Sequence, residues 1–117
     1  MKKDLLREKS FSFALCIVKL SKYLQEQHKE YILSKQVLRS GTAVGALIRE
    51  AQYAQSKADF LHKLTIALKE ANETEYWLLL LKESNYLDEK IFESIYPKID
   101  ELLKLLISST KTIKKNS

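Results

Sequence analysis

The sequence predicts an all-α chain, folded as a single antiparallel up-down-up-down four-helix bundle. Three observations predict it. Only two glycines and one proline occur in 117 residues, so there are few places for the repeated reversals of a β or α/β fold. Apolar residues recur at steps of three and four, which stacks them along one side of a helix. Short polar joints divide this pattern into four segments, and joints so short force consecutive helices to run antiparallel. One core is expected at this length, because two separate cores would each be marginal.

The first helix is expected over about residues 3–28, with Leu6, Phe13, Ile17, Leu20 and Leu24 on its inner face. Phe11, Leu15 and Val18 fall on nearly the opposite side, so this helix is apolar on two faces and its second stripe requires a partner. After the polar break at residues 25–30, Ser34 is the expected N-cap of a helix over about 35–54. Val37, Val44, Ile48 and Ala51 form its inner stripe. Gly41 and Gly45 lie four apart inside it, each at a cost of about 1 kcal/mol relative to alanine. Close approach of a neighbouring backbone would offset that cost.

Ser56-Lys57-Ala58-Asp59 resembles a capping box with Asp in place of Glu, and it opens a helix over about 57–84. Phe60, Leu64, Ala67, Ala71, Thr74, Leu78 and Leu81 alternate steps of four and three, the spacing of helices packed at a shallow angle. Ile66, Trp77 and Leu80 fall on another side together with Glu70 and Glu73. Asp88 is expected to cap a fourth helix over about 89–113, with Ile91, Ile95, Ile99, Leu102, Leu106 and Ile113 inward. Pro97 predicts a kink near Ser94 or a fresh start. A basic tail from Lys111 is expected to fray.

Apolar residues make up 45% and charged residues 30% of the chain, too apolar for disorder and too charged for a membrane protein. The longest apolar run, Trp77 to Leu81, falls far short of the roughly 20 residues that cross a bilayer. With no signal-type apolar segment and with Cys16 as its single cysteine, the chain reads as cytoplasmic, and Cys16 as a packed thiol. Net charge is +5, distributed unevenly. Residues 1–58 carry eleven Lys and Arg against five Asp and Glu, and residues 59–117 nine against ten. If the two halves form different sides of the molecule this asymmetry creates a basic face, and such faces attract phosphate backbones or acidic partners; the alternative is a merely solvated lysine-rich surface.

No residue set for catalysis is found. His28 and His62 stand apart, with no Cys or carboxylate set at zinc spacing, so neither a metal nor a cofactor is expected. Glu70, Glu73 and Glu75 lack the Glu-x-x-His pairs of a di-iron bundle. There is no phosphate loop and no nucleophile elbow. The reading is therefore of a chain that is not an enzyme.

Two stretches, RSGTAVGALIREAQYA and DFLHKLTIALKEANETEYWLLLL, resemble a bacterial family of four-helix bundle proteins encoded in intervening sequences of 23S ribosomal RNA genes. The family pattern falls on Arg39 to Thr42, on Glu50-Ala51, and on Ala71, Thr74-Glu75 and Tyr76-Trp77-Leu78. The sequence departs from it at Leu47, where asparagine is common, and at Asn72, where a basic residue is common. The resemblance implies an up-down bundle that assembles as a homo-oligomer, a ring of five. It is similar in this to the accessory variability proteins of diversity-generating retroelements, which bind reverse transcriptase and nucleic acid through a basic surface.

From these readings follow three expectations. Phe11, Leu15 and Val18 on one helix, with Ile66, Trp77 and Leu80 on another, form the subunit contacts, since one small core cannot hold them all. Arg39 pairs with Glu50, Glu73 or Glu75 at a helix interface; as a buried pair it would be worth about 3–5 kcal/mol when broken, so Arg39→Ala would unfold or disassemble the protein. Lys19, Lys22, Lys29 and Lys35 contact RNA or DNA, with RNA or an RNA-protein complex favoured. The alternative is a protein-protein scaffold that binds no nucleic acid.

Overall fold

The computed structural model describes residues 2–116, with side chains from Leu5 onward. Four helices follow one another: α1 (Lys2–His28), α2 (Leu33–Gln52), α3 (Lys57–Glu83) and α4 (Glu89–Lys115). Each packs on the next and α4 closes against α1, an up-down-up-down bundle within a 47 × 21 × 20 Å envelope. The long dimension matches 27 residues at 1.5 Å rise each, about 40 Å. Among the described residues no helix is long and apolar enough to cross a membrane.

The inner stripes read from the periodicity make the core. Phe13, Ile17, Leu24, Val37, Val44, Leu78, Leu81, Ile99 and Leu106 are wholly excluded from solvent. Phe60, Ile91 and Ile113, at the outer ends of their stripes, are only partly covered. Phe92, Leu103 and Leu87 join the core without having been expected there.

The termini of the helices depend on particular side chains. Ser56 Oγ accepts from the Asp59 amide at 3.0 Å, and Asp88 Oδ1 from the Ile91 amide at 2.8 Å, so the expected caps of α3 and α4 are in place. The cap of α2 is different. Ser34 is buried inside the helix, and the carboxylate of Glu30 accepts from the amides of Ile32, Leu33 and Ser34 at 3.2, 3.0 and 2.7 Å. An anion at this position also complements the positive end of the helix dipole. Ser34 instead ties α2 to α1, its carbonyl accepting from Ser21 Oγ at 3.3 Å. Lys29 and Asn85, the residues that turn the chain out of α1 and α3, have positive φ of 52° and 68°.

Of the two outcomes expected at Pro97, a kink near Ser94 or a fresh start, the fresh start is excluded, because α4 runs through Pro97 as one helix. Proline deprives the Glu93 carbonyl of its amide partner, but both residues are exposed, so water satisfies that carbonyl. Cys16 is half-buried at the α1–α4 seam rather than packed in the core.

Gly41 explains the closest approach of α1 and α2. A Cβ there would lie 2.9 Å from Ile17 Cγ1, so only glycine admits the contact. At Gly45 the nearest atoms, in Ser10, would be 3.5 Å away, and a methyl group fits.

Candidate nucleic-acid interface and assembly surfaces

The second half of α1, the turn after it and the first turn of α2 form one corner of the bundle. Lys19, Lys22, Lys29 and Lys35 are all exposed on it. Tyr31, 50% exposed, and Ile32 lie on the turn between Lys29 and Lys35. None of the four lysines forms an ion pair within the described residues. Glu30, the carboxylate nearest in sequence to Lys29, is turned away to cap α2. Exposed ammonium groups without ion-pair partners among the described residues, with an exposed phenol ring on the turn between Lys29 and Lys35, suit a phosphate backbone with an unpaired base stacked on the ring. Sequence reasoning missed Tyr31; its position on the turn, outside any helical stripe, is the signal that could have found it.

Antiparallel packing also redistributes charge in a way that the linear halves conceal. Residues 5–14, 43–70 and 101–116 share the end of the bundle that holds the termini, with ten Lys and Arg against five Asp and Glu. The opposite end, residues 15–42 and 71–100, has eight against nine. The lysine corner is thus a local basic patch on an end whose other charged residues, four Lys and Arg against nine Asp and Glu, are mostly acidic.

Arg39 spans α2 and α3. Its Nη1 donates to Glu70 Oε1 at 3.2 Å and its Nη2 to Glu73 Oε2, the same oxygen that accepts from Trp77 Nε1 at 3.0 Å. The Glu73 and Glu70 carboxylates hold the guanidinium pKa above its ordinary value, and Arg39 and Trp77 together draw Glu73 below its own. Glu50 and Glu75, the other partners considered for Arg39, are engaged elsewhere. Glu50 accepts from Lys63 Nζ at 3.0 Å, and Glu75 Oε2 from the Tyr96 hydroxyl at 2.6 Å. That bond pushes the Tyr96 pKa up to about 12. Glu70 is the partner that was missed. The Arg39 side chain is 51% exposed, so the cost first expected of Arg39→Ala, that of a buried pair, does not apply to folding. An exposed pair contributes at most about 1 kcal/mol.

The apolar surface on α1 remains open. Phe11 is 54% exposed, Leu15 51% and Val18 slightly less. The Arg49 guanidinium lies over the Phe11 ring, 5.6 Å from its centroid. Between them runs a shallow groove floored by small residues, Ala14, Gly45 and Ala46. The α3 stripe is different: Ile66, Trp77 and Leu80 are half-buried, with Trp77 packed on the core. On α3 the apolar side chains that face solvent are Tyr76 and Leu79.

The sequence model of a family described as 23S rRNA-intervening sequence protein matches residues 2–108. The chain belongs to this family. A solved structure similar to this 23S rRNA-intervening sequence protein is that of a protein with unknown function from the S23 ribosomal protein family, from Bacteroides thetaiotaomicron. The two are 55% identical and superpose with a TM-score of 0.92 over 95% of this chain and 99% of the other. No curated protein matches. Neither match carries the name of an enzyme.

The Arg-Ser-Gly-Thr stretch of this family member has a physical reading at every position. Arg39 bridges Glu70 and Glu73, and Gly41 admits Ile17. The buried hydroxyls of Ser40 and Thr74 lie 2.9 Å apart, and Thr74 Oγ1 is 2.8 Å from the Glu70 carbonyl. With one proton each, Thr74 donates to that carbonyl and Ser40 to Thr74. Thr42 Oγ1 donates to the Leu38 carbonyl at 2.7 Å. The motif joins α1, α2 and α3, and its geometry is that of a structural clamp. Among the described residues no group of three or more His, Cys, Asp or Glu is placed to hold a metal ion. His28 packs edge-on between Tyr23 and Tyr86, with ring centroids 5.3 and 5.5 Å away, and His62 faces solvent.

Proposed function

We propose that this chain is a non-enzymatic, self-associating adaptor that binds nucleic acid, RNA or an RNA-protein complex, through the corner formed by Lys19, Lys22, Lys29 and Lys35. The observation that carries the reading is that these four lysines are exposed without ion-pair partners among the described residues, with the exposed Tyr31 on the turn between Lys29 and Lys35. Phosphate contacts supply affinity without sequence information, and stacking on Tyr31 favours unpaired bases over duplex. Self-association uses the open stripe of Phe11, Leu15 and Val18, extended across the groove to α2. The half-buried Ile66, Trp77 and Leu80 fit a secondary role in the same contact. Following the family resemblance, the assembly is a ring of five, with a mass about five times the 13.6 kDa of one chain. Such a ring would present five lysine corners at once, and linked weak sites gain avidity without any new contact.

The test is an electrophoretic gel shift of a structured RNA and of DNA at low salt, wild type beside the Lys19/Lys22/Lys29/Lys35→Gln variant. Retardation by the wild type that the variant loses supports the reading; no retardation of either nucleic acid removes it. The exposure of Phe11 and Leu15 also favours a second reading, a scaffold whose partner is another polypeptide. A pull-down that survives nuclease treatment, with no gel shift, would select that one.

A further inference from the structure

A recess opens at the end of the bundle where α1 begins and α4 ends. Its volume is about 220 Å³, and all four helices line it: Leu6, Ile48, Gln52, Phe60, Leu64 and Ile113, with the hydroxyl-bearing Ser109 and Thr112 at one side. The wall is almost wholly carbon. Leu6, Ile48 and Leu64 form a floor that is nearly free of solvent. Water fills such a space poorly, because an ordered water needs two to four polar partners and an apolar cavity stays dry. A cavity of about 150 Å³ accepts benzene, and drug-sized ligands need at least about 300 Å³. The recess therefore suits one short alkyl chain.

The mouth of the recess gives the other half of the ligand. Among the described residues no carboxylate lines it. Arg7 Nη1 lies 3.4 Å from the Oε1 of the lining Gln52. Lys57 Nζ lies 3.4 Å from the Asn116 carbonyl, across the gap between the start of α3 and the end of α4. Lys111 and Lys115 flank the lining residues on α4, and this is the end with ten cationic residues against five acidic ones. Asp59, the nearest carboxylate on α3, accepts from the Gln55 amide at 3.2 Å. An apolar recess one chain wide beneath a cationic rim has the complementarity of an amphiphile with a single alkyl chain and an anionic head.

We infer that this recess binds a free medium-chain carboxylate of about eight carbons, the alkyl chain between Leu6, Ile48, Leu64 and Ile113 and the carboxylate at Arg7 and Lys57. This site is separate from the lysine corner, which lies at the opposite end of the bundle.

The probe is octanoate, below its micellar concentration, titrated into the full chain and followed by methyl resonances of the leucines and isoleucines. Saturable shifts of Leu6, Ile48, Leu64 and Ile113 are expected, with octan-1-ol binding about fivefold more weakly. Ser109→Leu fills the recess from its wall and Thr112→Phe from its exposed rim, and each should weaken octanoate at least tenfold. Thr112→Phe leaves the core untouched and so remains informative should Ser109→Leu fold poorly. Shifts that do not saturate, or filled variants that bind octanoate as the wild type does, would overturn the site. Octan-1-ol binding as tightly as octanoate would overturn the anionic head.

Discussion

Two glycines four residues apart on α2 should respond in opposite directions to the same substitution. At Gly41 an added Cβ would meet Ile17 at 2.9 Å from Cγ1 and 3.0 Å from Cγ2. Ile17 is fully buried and β-branched, so its χ1 has little freedom to yield. Replacing glycine by alanine in a helix gains about 1 kcal/mol, and overpacking a filled core costs about 1–3 kcal/mol. Gly41→Ala should therefore lie between neutral and about 2 kcal/mol destabilising. At Gly45 the contacts to Ser10 begin at 3.5 Å and the residue is half-exposed, so the propensity gain stands nearly alone. Gly45→Ala should stabilise by about 0.5–1 kcal/mol. For a chain of this size 1 kcal/mol corresponds to about 4 °C, so the two variants should differ in Tm by about 2–12 °C. Thermal unfolding at one protein concentration, with the mass of each variant checked by light scattering, measures it. A double-mutant cycle with Ile17→Ala should show favourable coupling at Gly41 and none at Gly45. Equal stabilisation by both alanines would refute the reasoning, because it would mean that α2 slides away from α1 at no cost.

Glu30→Ala removes the acceptor of three backbone amides at the start of α2 and should cost about 1–2 kcal/mol in urea unfolding at pH 7, while Ser34→Ala should not act as loss of a cap. Tyr96 is expected to titrate late, because its bond to Glu75 raises its pKa to about 12. Because the folded value is above the unfolded one, this contribution to stability is complete below about pH 10 and is lost as pH rises toward 12. Spectrophotometric titration should show one late phenol that Tyr96→Phe abolishes. Phe11→Glu combined with Leu15→Glu should convert the assembly to monomers by light scattering without loss of helicity, since both side chains are more than half exposed within one chain; an unchanged mass would show that the stripe is not a subunit contact.

Much of the fold is legible in the sequence because helical periodicity is local. The spacing of Phe13, Ile17, Leu20 and Leu24, or of Leu64, Ala67, Ala71 and Leu78, specifies a face without knowledge of its partner. The Asp88 and Ser56 caps are local in the same sense. What the sequence conceals depends on long reach or on pairing. Ser34 has the residue type and position of a cap, but burial against α1 claims its carbonyl, and the longer Glu30 reaches the free amides from outside the helix. Arg39 had three plausible carboxylates in the sequence; the register of α2 against α3 selects Glu73 and adds Glu70. Trp77 looked unpartnered on a helical wheel, yet its ring packs on the core and its indole nitrogen meets Glu73. The lysines were legible as a basic half, while their isolation from carboxylates required the structure, as did the greater charge of the opposite end.

The salt dependence of nucleic-acid affinity tests the account most directly. Four lysine contacts predict that log K falls against log salt with a slope of roughly −3 to −4, so that affinity drops about 100-fold between 50 and 200 mM. The Lys19/Lys22/Lys29/Lys35→Gln variant should lose nearly all of that slope together with the binding. A wild-type slope near zero, or a variant that retains the wild-type slope, would contradict the assignment of this corner to phosphate contacts.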